Sequence, residues 1–247
     1  MVREPVSFRT AVEPGPSAEE NLAQIAHELR QPLTTIVAAL RLLGKCGDTP
    51  TVERRSRTIE RQVAHLSRLI DDLLDAIRIG RGNFNLHRTR LDARKAVEAA
   101  VDGIRPISKQ LGQHLDVLLP PLPAWLDADP ERLQQILSNL LSNALKHTHA
   151  GQRVWVAVDQ DYASITLTVG DTGDGIPLAV LPRIFDMFAR APGQHAAGFG
   201  IGLAVVKQLA ELHRGTVHAL SDGPGHGSRF VVTLPRARVA ALVPSTW

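Results

Sequence analysis

His27 and the adjacent Glu28 are the residues of this sequence best suited to nucleophilic chemistry. A neutral imidazole is a nucleophile near neutral pH because its pKa is about 6.5. The neighbouring carboxylate can accept the proton of the other ring nitrogen and orient the ring. Taken alone, His27 could equally be a solvent-exposed histidine without a function. A zinc-protease motif is excluded, because Gln31 stands where the second histidine would be.

A helix predicted over residues 130–147 carries a polar row opposite an apolar row. The apolar row consists of Leu133, Ile136, Leu137, Leu140, Leu141 and Ala144, and the polar row of Asn139, Asn143, Lys146 and His147. The side-chain oxygen of Asn143 can bind Mg²⁺, which takes most of its other ligands from water and phosphates. Lys146 could neutralise phosphate charge. By itself, the polar row is also what the solvent side of an amphipathic helix shows.

The first of two glycine-rich segments begins at Asp171, which ends an apolar strand. The turn contains Gly173 and Gly175 and ends at Ile176. A buried carboxylate there can accept a hydrogen bond from the exocyclic amine of adenine, and the glycines let the ring approach the backbone. A calcium loop is excluded, because Pro182 stands where that loop requires a glutamate.

The second glycine-rich segment leads into a predicted helix and comprises Gly198, Gly200, Ile201, Gly202 and Leu203. Free N–H groups and the dipole at a helix N-terminus favour phosphate. Each glycine segment alone is weak evidence, but their order after the polar helix predicts a nucleotide site. Together with His27, these segments favour an enzyme that moves a phosphoryl group from ATP to a histidine.

Residues 18–82 show the apolar spacing of two consecutive helices. The repeat consists of Leu22, Ile25, Leu29, Ile36, Leu40 and Leu43 in the first helix, and of Val52, Ile59, Leu66 and Leu73 in the second. Pro32 is expected to kink or loosen the first helix. Because a hairpin cannot bury such a seam alone, we expect an all-α hairpin that dimerises through residues 18–80 into a four-helix bundle. His27 would then lie on the outer face.

After residue 83 short strands alternate with helices. Strands are expected over residues 83–90, 115–119, 154–160, 164–171, 216–221 and 228–234, and helices over residues 92–111, 130–147 and 202–213. Because regular βαβ spacing is absent, residues 83–235 are predicted to form an α+β sandwich with helices on one face of a mixed sheet. Residues 1–17 are interpreted as a flexible lead-in and residues 236–247 as a loose tail.

The composition narrows the function further. With 44% hydrophobic and 21% charged residues in 247, the chain is not expected to be disordered. Nucleic-acid binding usually requires a concentrated stripe of basic residues together with aromatic residues. The net charge is only +3 and aromatic residues make up 4% of the chain, so no nucleic-acid partner is expected. A single cysteine, Cys46, excludes an intramolecular disulfide and favours a cytoplasmic location. No apolar stretch approaches the roughly 18–20 residues of a membrane span.

These segments, in this order, resemble the sensor histidine kinases of two-component signalling. Residues 27–33 resemble the phosphoacceptor box, residues 139–148 the asparagine box, and residues 171–176 and 198–203 the two glycine boxes. Residues 184–188 resemble the phenylalanine box, and residues 227–230 with Leu234 and Pro235 resemble the terminal strand. The resemblance extends over about residues 18–235. It implies a dimerisation and phosphotransfer hairpin, followed by an ATP-binding domain of the gyrase, chaperone, histidine kinase and mismatch-repair superfamily.

The resemblance also implies roles for single residues. His27 would accept phosphate with Glu28 as its base, Asn143 would hold Mg²⁺, and Asp171 would bind adenine. The residues implied in ATP binding are Asn139, Asn143, Lys146, His147, Asp171, Gly173, Gly175, Ile176, Phe188, Gly198, Gly200, Ile201, Gly202 and Leu203. Phosphohistidine would then donate to an aspartate of a response-regulator receiver domain.

The sequence departs from the family pattern in two respects. Gln31 occupies a position that is usually Thr or Asn and supports phosphatase activity, and it is a candidate for orienting a water there. No sensor domain precedes the hairpin, so we expect an upstream input domain in a longer chain or a separate input protein.

Asn139 stands where hydrolytic superfamily members have a water-activating glutamate. The alternatives are a non-catalytic phosphotransfer or scaffold protein with a degenerate ATP domain, and a stand-alone ATPase or serine kinase.

Overall fold

The computed structural model of the chain describes residues 18–43, 49–80, 84–189 and 200–237, except for the side chains of residues 18–25, 27, 28, 65, 68, 69, 76 and 80. The lead-in expected at residues 1–17 lies outside this part, as do residues 238–247 of the expected tail. The tail was expected to begin at residue 236, but Arg236 and Ala237 are hydrogen-bonded into the fold. The first two elements are long helices, α1 (Ala18–Leu43) and α2 (Thr49–Gly80), which pack against each other as a helical hairpin. No described helix is long and apolar enough to cross a membrane.

Helix α1 runs without interruption through Pro32. The hydroxyl of Thr34 donates to the carbonyl of Arg30, and the hydroxyl of Thr35 donates to that of Gln31. At the other end of the hairpin, the Arg55 guanidinium of α2 donates to the Leu42 carbonyl. That bond satisfies one of the carbonyls left without a partner at the end of α1.

The hairpin has a half-buried apolar seam and a second, exposed apolar row. The half-buried seam includes Leu29, Ile36 and Leu43 in α1 and Val52, Ile59, Leu66 and Leu73 in α2. The exposed row consists of Leu33, Val37 and Leu40 in α1 and Val63, Ile70, Leu74 and Ile77 in α2. Leu40 belongs by spacing to the predicted seam but is 52% exposed. Leu40 shares a helical face with Leu33 and Val37, which are exposed as well.

The rest of the chain folds around a mixed sheet, as predicted. Its elements are β1 (Thr89–Asp92), α3 (Ala93–Gln110), β2 (His114–Leu118), β3 (Trp125–Ala128), α4 (Pro130–Lys146), β4 (Arg153–Gln160), β5 (Ser164–Asp171), α5 (Gly202–Leu212), β6 (Thr216–Leu220) and β7 (Ser228–Pro235). A short 3₁₀ turn occupies Leu181–Arg183. The five-stranded sheet has the order β2-β4-β5-β7-β6. The pair β2 and β4 is parallel, and the other pairs are antiparallel.

Helices α3, α4 and α5 pack on one face of this sheet. Strands β4, β5 and β7 alternate buried and more exposed residues, which directs every second side chain towards the helices. All six residues of the apolar row predicted for α4 are buried in the core between the layers. The predicted sandwich, with helices on one face of a mixed sheet, is therefore confirmed.

A buried histidine joins the ends of two of these helices. His213, which follows α5, donates from Nδ1 to the Leu209 carbonyl at 2.7 Å and accepts at Nε2 from the Asp129 N–H at 3.1 Å. The carboxylate of Asp129 in turn caps the first turn of α4. Burial lowers the pKa of His213, so the imidazole is held neutral with its proton on Nδ1.

The first part of the predicted strand pattern is wrong. A strand was expected over residues 83–90, but β1 begins at Thr89 and residues 84–88 make no ladder. Phe84 is half-buried without belonging to a strand, because its ring packs under the Arg132 guanidinium, 4.8 Å away. Its apolar side chain therefore contributed to the incorrect prediction of a strand. Strand β3 was not predicted. It pairs with β1 in a separate two-stranded sheet, and Arg236 and Ala237 continue alongside it.

Candidate functional site

Asp171 lies at the end of β5 with its carboxyl group buried and both oxygens hydrogen-bonded. Its side chain is 3% exposed. Oδ1 accepts from the Gly173 N–H at 2.9 Å, and Oδ2 accepts from the Ser228 hydroxyl at 2.6 Å. Burial raises the pKa of Asp171, although these bonds oppose the shift. The carboxyl group is thus a fixed acceptor, able to receive a further hydrogen bond from an amine.

The turn after Asp171 packs tightly between two backbone segments. A Cβ at Gly173 would lie 1.8 Å from the His147 carbonyl oxygen, and one at Gly175 would lie 2.1 Å from the Gly223 carbonyl oxygen. Gly175 also has a positive φ of 69°. Only glycine fits at these positions, so the two glycines of the predicted box fix the turn itself. Ile176, which ends the turn, is buried.

The polar row of α4 ends beside this turn. Asn143 is half-buried, and its side chain makes no hydrogen bond to any residue that the structure describes. Lys146 is exposed in the last turn of the helix. His147 Nδ1 lies 3.3 Å from one oxygen of Asp174, while His149 Nε2 lies 2.8 Å from the other. Within the described ranges no group of three side chains is placed to bind a metal ion.

Asn139, the first member of that row, connects three helices. Its side-chain nitrogen lies 3.3 Å from the Gly202 carbonyl oxygen of α5 and 3.4 Å from Asp72 Oδ1 of α2. A Cβ at Gly202 would meet the Asn139 side chain at an ordinary 3.6 Å, so this glycine is not required for space. The amide of Asn139 therefore helps to hold the start of α5 against α4 and α2.

Phe188, which precedes the second glycine segment, contacts that segment just before the start of α5. The Phe188 N–H donates to the Gly200 carbonyl at 3.0 Å. Phe188 and Gly200 both have positive φ angles, of 66° and 63°. Ile201 is buried and Leu203 packs against the core, while Gly198 lies outside the described residues. No described side chain caps the N-terminus of α5, which leaves its first N–H groups available to an anion.

The hairpin contacts helix α4 through a polar cluster. Asp75 of α2 is buried and receives a 2.6 Å bond from Arg132 of α4. Gln135 donates to both Asp72 and Asp75 at 2.9 Å. An open groove of about 420 Å³ runs along this contact. The sequence did not predict this cluster, because polar residues on a helix surface look the same whether they face solvent or another helix.

The segment that contains His27 belongs to the same hairpin. The backbone of His27 and Glu28 belongs to α1, and their side chains lie outside the described part. Leu29, two residues after His27, packs against the core of the sheet domain, as does Leu73 of α2. Gln31 is exposed on α1. The structure thus brings the chain segment of His27 against the domain that contains Asp171.

Ser228 and Asp174 are further candidates that the spacing of residues did not reveal. Ser228 lies opposite Asp171 in the antiparallel pairing of β5 with β7. Asp174 lies inside the recognised glycine box, but its bonds to His147 and His149 depend on how that box packs against α4. The register of β5 and β7 is the signal that would have identified Ser228.

Comparison with known proteins gives two family matches. Residues 17–82 match the His Kinase A (phospho-acceptor) domain, and residues 128–238 match the histidine kinase-, DNA gyrase B-, and HSP90-like ATPase family. Histidine protein kinase DivJ of Caulobacter vibrioides is 36% identical over 232 residues, which are 91% of this chain and 38% of DivJ. The chain therefore spans well under half the length of this relative.

The solved structures that are similar to the chain include two longer histidine kinases. Full-length ShkA in complex with AMPPNP is 29% identical with a TM-score of 0.65, and the alignment covers 90% of this chain and 47% of ShkA. Histidine kinase ThkA in complex with response regulator protein TrrA is 19% identical with a TM-score of 0.62, over 87% of this chain and 61% of that one, and shows the shared fold. With a phosphoacceptor domain and an ATPase domain in this order, the chain belongs to the sensor histidine kinases and carries their transmitter region.

Proposed function

We propose that this chain is an ATP-dependent protein-histidine kinase. It would autophosphorylate His27 and pass the phosphoryl group to an aspartate of a response-regulator receiver domain. The observation that supports this most directly is the buried Asp171 carboxyl group, fixed on both oxygens, in a domain whose core contacts α1 at Leu29. The domain would supply the nucleotide, and α1 would supply the acceptor.

The residues around Asp171 have the chemistry that Mg²⁺ and ATP require. Asp171 offers an acceptor for the exocyclic amine of adenine. Asn143 offers a side-chain oxygen without a described partner, and one such ligand is enough for an ion that keeps water and phosphate oxygens. Lys146 and the uncapped start of α5 offer positive charge and N–H donors to phosphates. When bound, Mg²⁺ neutralises charge on the phosphates.

The transfer itself requires only an acceptor and a base from this chain. One ring nitrogen of His27 attacks the γ-phosphorus, the bond to the β-phosphate oxygen breaks, and ADP leaves. Glu28 accepts the proton from the other ring nitrogen. Asn139 cannot take a proton from water, and its nitrogen faces Asp72 and Gly202. Transfer to His27 is therefore favoured over hydrolysis.

The partners follow from the same reading. The fold that this chain shares with ThkA, which was solved in complex with a response regulator, supports a receiver domain as the phosphate acceptor. The exposed apolar row of α1 and α2 supports a homodimer through residues 18–80, because a second copy would bury it. A sensor domain or a separate input protein would supply the signal, and we place the reaction in the cytoplasm.

Radiolabelled ATP with Mg²⁺ tests the proposal directly. We expect label on the wild-type chain that is lost in acid, stable in alkali and absent from His27→Ala. Label that persists in His27→Ala, or that survives acid, would contradict a histidine acceptor and favour a serine kinase. ATP consumption without any protein-bound label would show a simple ATPase. Absence of Mg·ATP binding in a titration would support the scaffold alternative with its degenerate ATP domain, whereas bound ATP without label would indicate an inactive or input-dependent transmitter.

A further inference from the structure

Ser221, which follows β6, makes hydrogen bonds at three separate points of the nucleotide site. Its hydroxyl donates to the Gly227 carbonyl at 2.7 Å. The same oxygen accepts from the Ile176 N–H at 2.9 Å and from the Gly223 N–H at 3.3 Å. One donor and two acceptor positions are all that a hydroxyl has, so the bonding capacity of Ser221 is filled.

These bonds lead to the Asp171 carboxyl group by two short routes. The Gly227 N–H donates to the Gly173 carbonyl, and the Gly173 N–H donates to Asp171 Oδ1. Ser228, directly after Gly227, donates its hydroxyl to Asp171 Oδ2. The hydroxyl of Ser221 therefore fixes the backbone segment that holds Oδ2 of Asp171 directly, through Ser228, and Oδ1 indirectly, through Gly173.

The end of the glycine turn is fixed by the same serine. The Ile176 N–H bond anchors the last residue of the turn, and the Gly225 N–H donates to the Asp174 carbonyl at 2.7 Å in its middle. The segment 221–227 thus backs the turn along its length. Loss of the Ser221 hydroxyl would leave the Ile176 N–H and the Gly227 carbonyl without this partner.

We propose that Ser221 is a positioning residue that sets the affinity and selectivity of the site for adenine nucleotides, although it touches no nucleotide itself. The proposal rests on the proposed function, since it concerns the nucleotide of the same reaction. Guanine carries a carbonyl where adenine carries its amine, so a rigid Asp171 carboxylate rejects guanine by facing one acceptor with another. A mobile carboxylate loses part of that discrimination.

Equilibrium binding of Mg·ATP, Mg·ADP and Mg·GTP to the full chain tests this role. Ser221→Ala is expected to weaken ATP and ADP by the same factor, of about tenfold, because both share the base and one supporting hydrogen bond is lost. The ratio of ATP to GTP affinity should fall. In autophosphorylation, KM for ATP should rise while kcat changes little.

Two serine variants provide the controls. Ser221→Thr keeps the hydroxyl and should restore both affinity and selectivity. Ser164→Ala removes a hydroxyl bonded to Asp161 at the opposite end of β5 and should leave nucleotide binding unchanged. If Ser221→Ala does not fold, Ser221→Cys, whose thiol is a weaker donor and acceptor, is measured with the same expectation.

The possible failures are distinguishable. If Ser221→Ala lowers Tm but keeps the wild-type ratio of ATP to GTP affinity, Ser221 is only structural and the positioning role is wrong. A loss of affinity for ATP without a loss of affinity for ADP would place the effect at the γ-phosphate and would also contradict the positioning role. Wild-type chain that binds no ATP would instead contradict the proposed function, and this inference with it.

Discussion

The carboxyl group of Asp171 is buried, and its removal from water opposes ionisation of the group. Burial raises its pKa, so at neutral pH the ionised form is less stable in the folded chain than in the unfolded chain. A raised pKa stabilises the fold fully only below the unfolded pKa, and this contribution is lost as pH rises through the folded pKa. The folded chain therefore tolerates an unfavourable charge at neutral pH, and under the proposed function that charge serves as an acceptor for the nucleotide.

Asp171→Asn is expected to separate nucleotide binding from stability. Because a charged acceptor is lost, Mg·ATP affinity should fall by about 10- to 100-fold and labelling of His27 should disappear. Tm at pH 7 should stay equal or rise, since the buried charge is gone. Nucleotide titration and thermal unfolding measure the two effects.

The pH dependence gives the control for this variant. Any gain in Tm of Asp171→Asn should shrink as pH falls through the folded pKa of Asp171, because the wild-type carboxyl group is then neutral as well. A variant that loses Tm at pH 7 would show that the ionised carboxylate stabilises the fold. Unchanged ATP affinity would contradict the role of Asp171 in adenine binding.

His213 is another buried titratable group, and its effect on stability depends on pH in the opposite direction. Its folded pKa is lowered by burial, so its contribution to stability is full above the unfolded pKa of about 6.5 and is lost as pH falls below it. Lowering the pH from 7.5 to 5.5 should therefore reduce the urea midpoint of the wild type more than that of His213→Gln. Equal reductions in both chains would contradict a neutral His213.

Among the secondary-structure elements, the two hairpin helices carry exposed apolar residues in a regular helical row. Their exposed row lies on residues spaced by three, four and seven, which is the spacing that packs one helix against another. Sedimentation of two matched variants tests whether a second copy covers this row. Leu40→Glu should shift the dimer to monomer, because each buried leucine contributes about 1.5–3 kcal/mol and the substitution occurs in both copies.

Leu122→Glu provides the matched control for that experiment. Leu122 is 67% exposed in the loop before β3, outside the hairpin, and its replacement should leave the sedimentation of the chain unchanged. A Leu40→Glu chain that remains a dimer would place the interface on another surface. Dissociation of both variants would show a general effect of added charge.

The long amphipathic elements could be predicted from the sequence, and the short irregular ones could not. Helix α4 has a continuous apolar row and a capping Asp129 followed by Pro130, so its position was determined locally. Strand β3 has four residues between a proline-rich loop and α4, and only its pairing with β1 defines it as a strand. Its buried Leu126 gave too short a pattern to show that pairing.

The residues of the candidate site also fall into two groups, those that local sequence predicted and those that it could not predict. Asp171, Gly173 and Gly175 lie in one local turn, so their spacing predicted them as a group. Ser228 reaches Asp171 across 57 positions of sequence, and that contact depends on the register of two strands. Local patterns cannot contain such information.

At the level of the whole molecule, the hairpin and the sheet domain share a buried ion pair. The side chains of Asp75 and Arg132 are 5% and 26% exposed. Asp75→Ala leaves the Arg132 charge without its carboxylate and should lower the free energy of unfolding by about 3 kcal/mol. Asp71→Ala, at an exposed position of the same helix, should change it by less than about 0.5 kcal/mol. Equal effects in chemical unfolding would mean that the ion pair does not stabilise the docked hairpin.

The pairing of β5 with β7 also has a consequence for synthesis of the protein. The Asp171 carboxyl group obtains its Ser228 bond only when β7, the last strand described, has left the ribosome and paired. His27 is translated about two hundred residues earlier. A nascent chain would thus display its phosphate acceptor long before it can bind ATP firmly, and the kinase would become active only as its final strand folds.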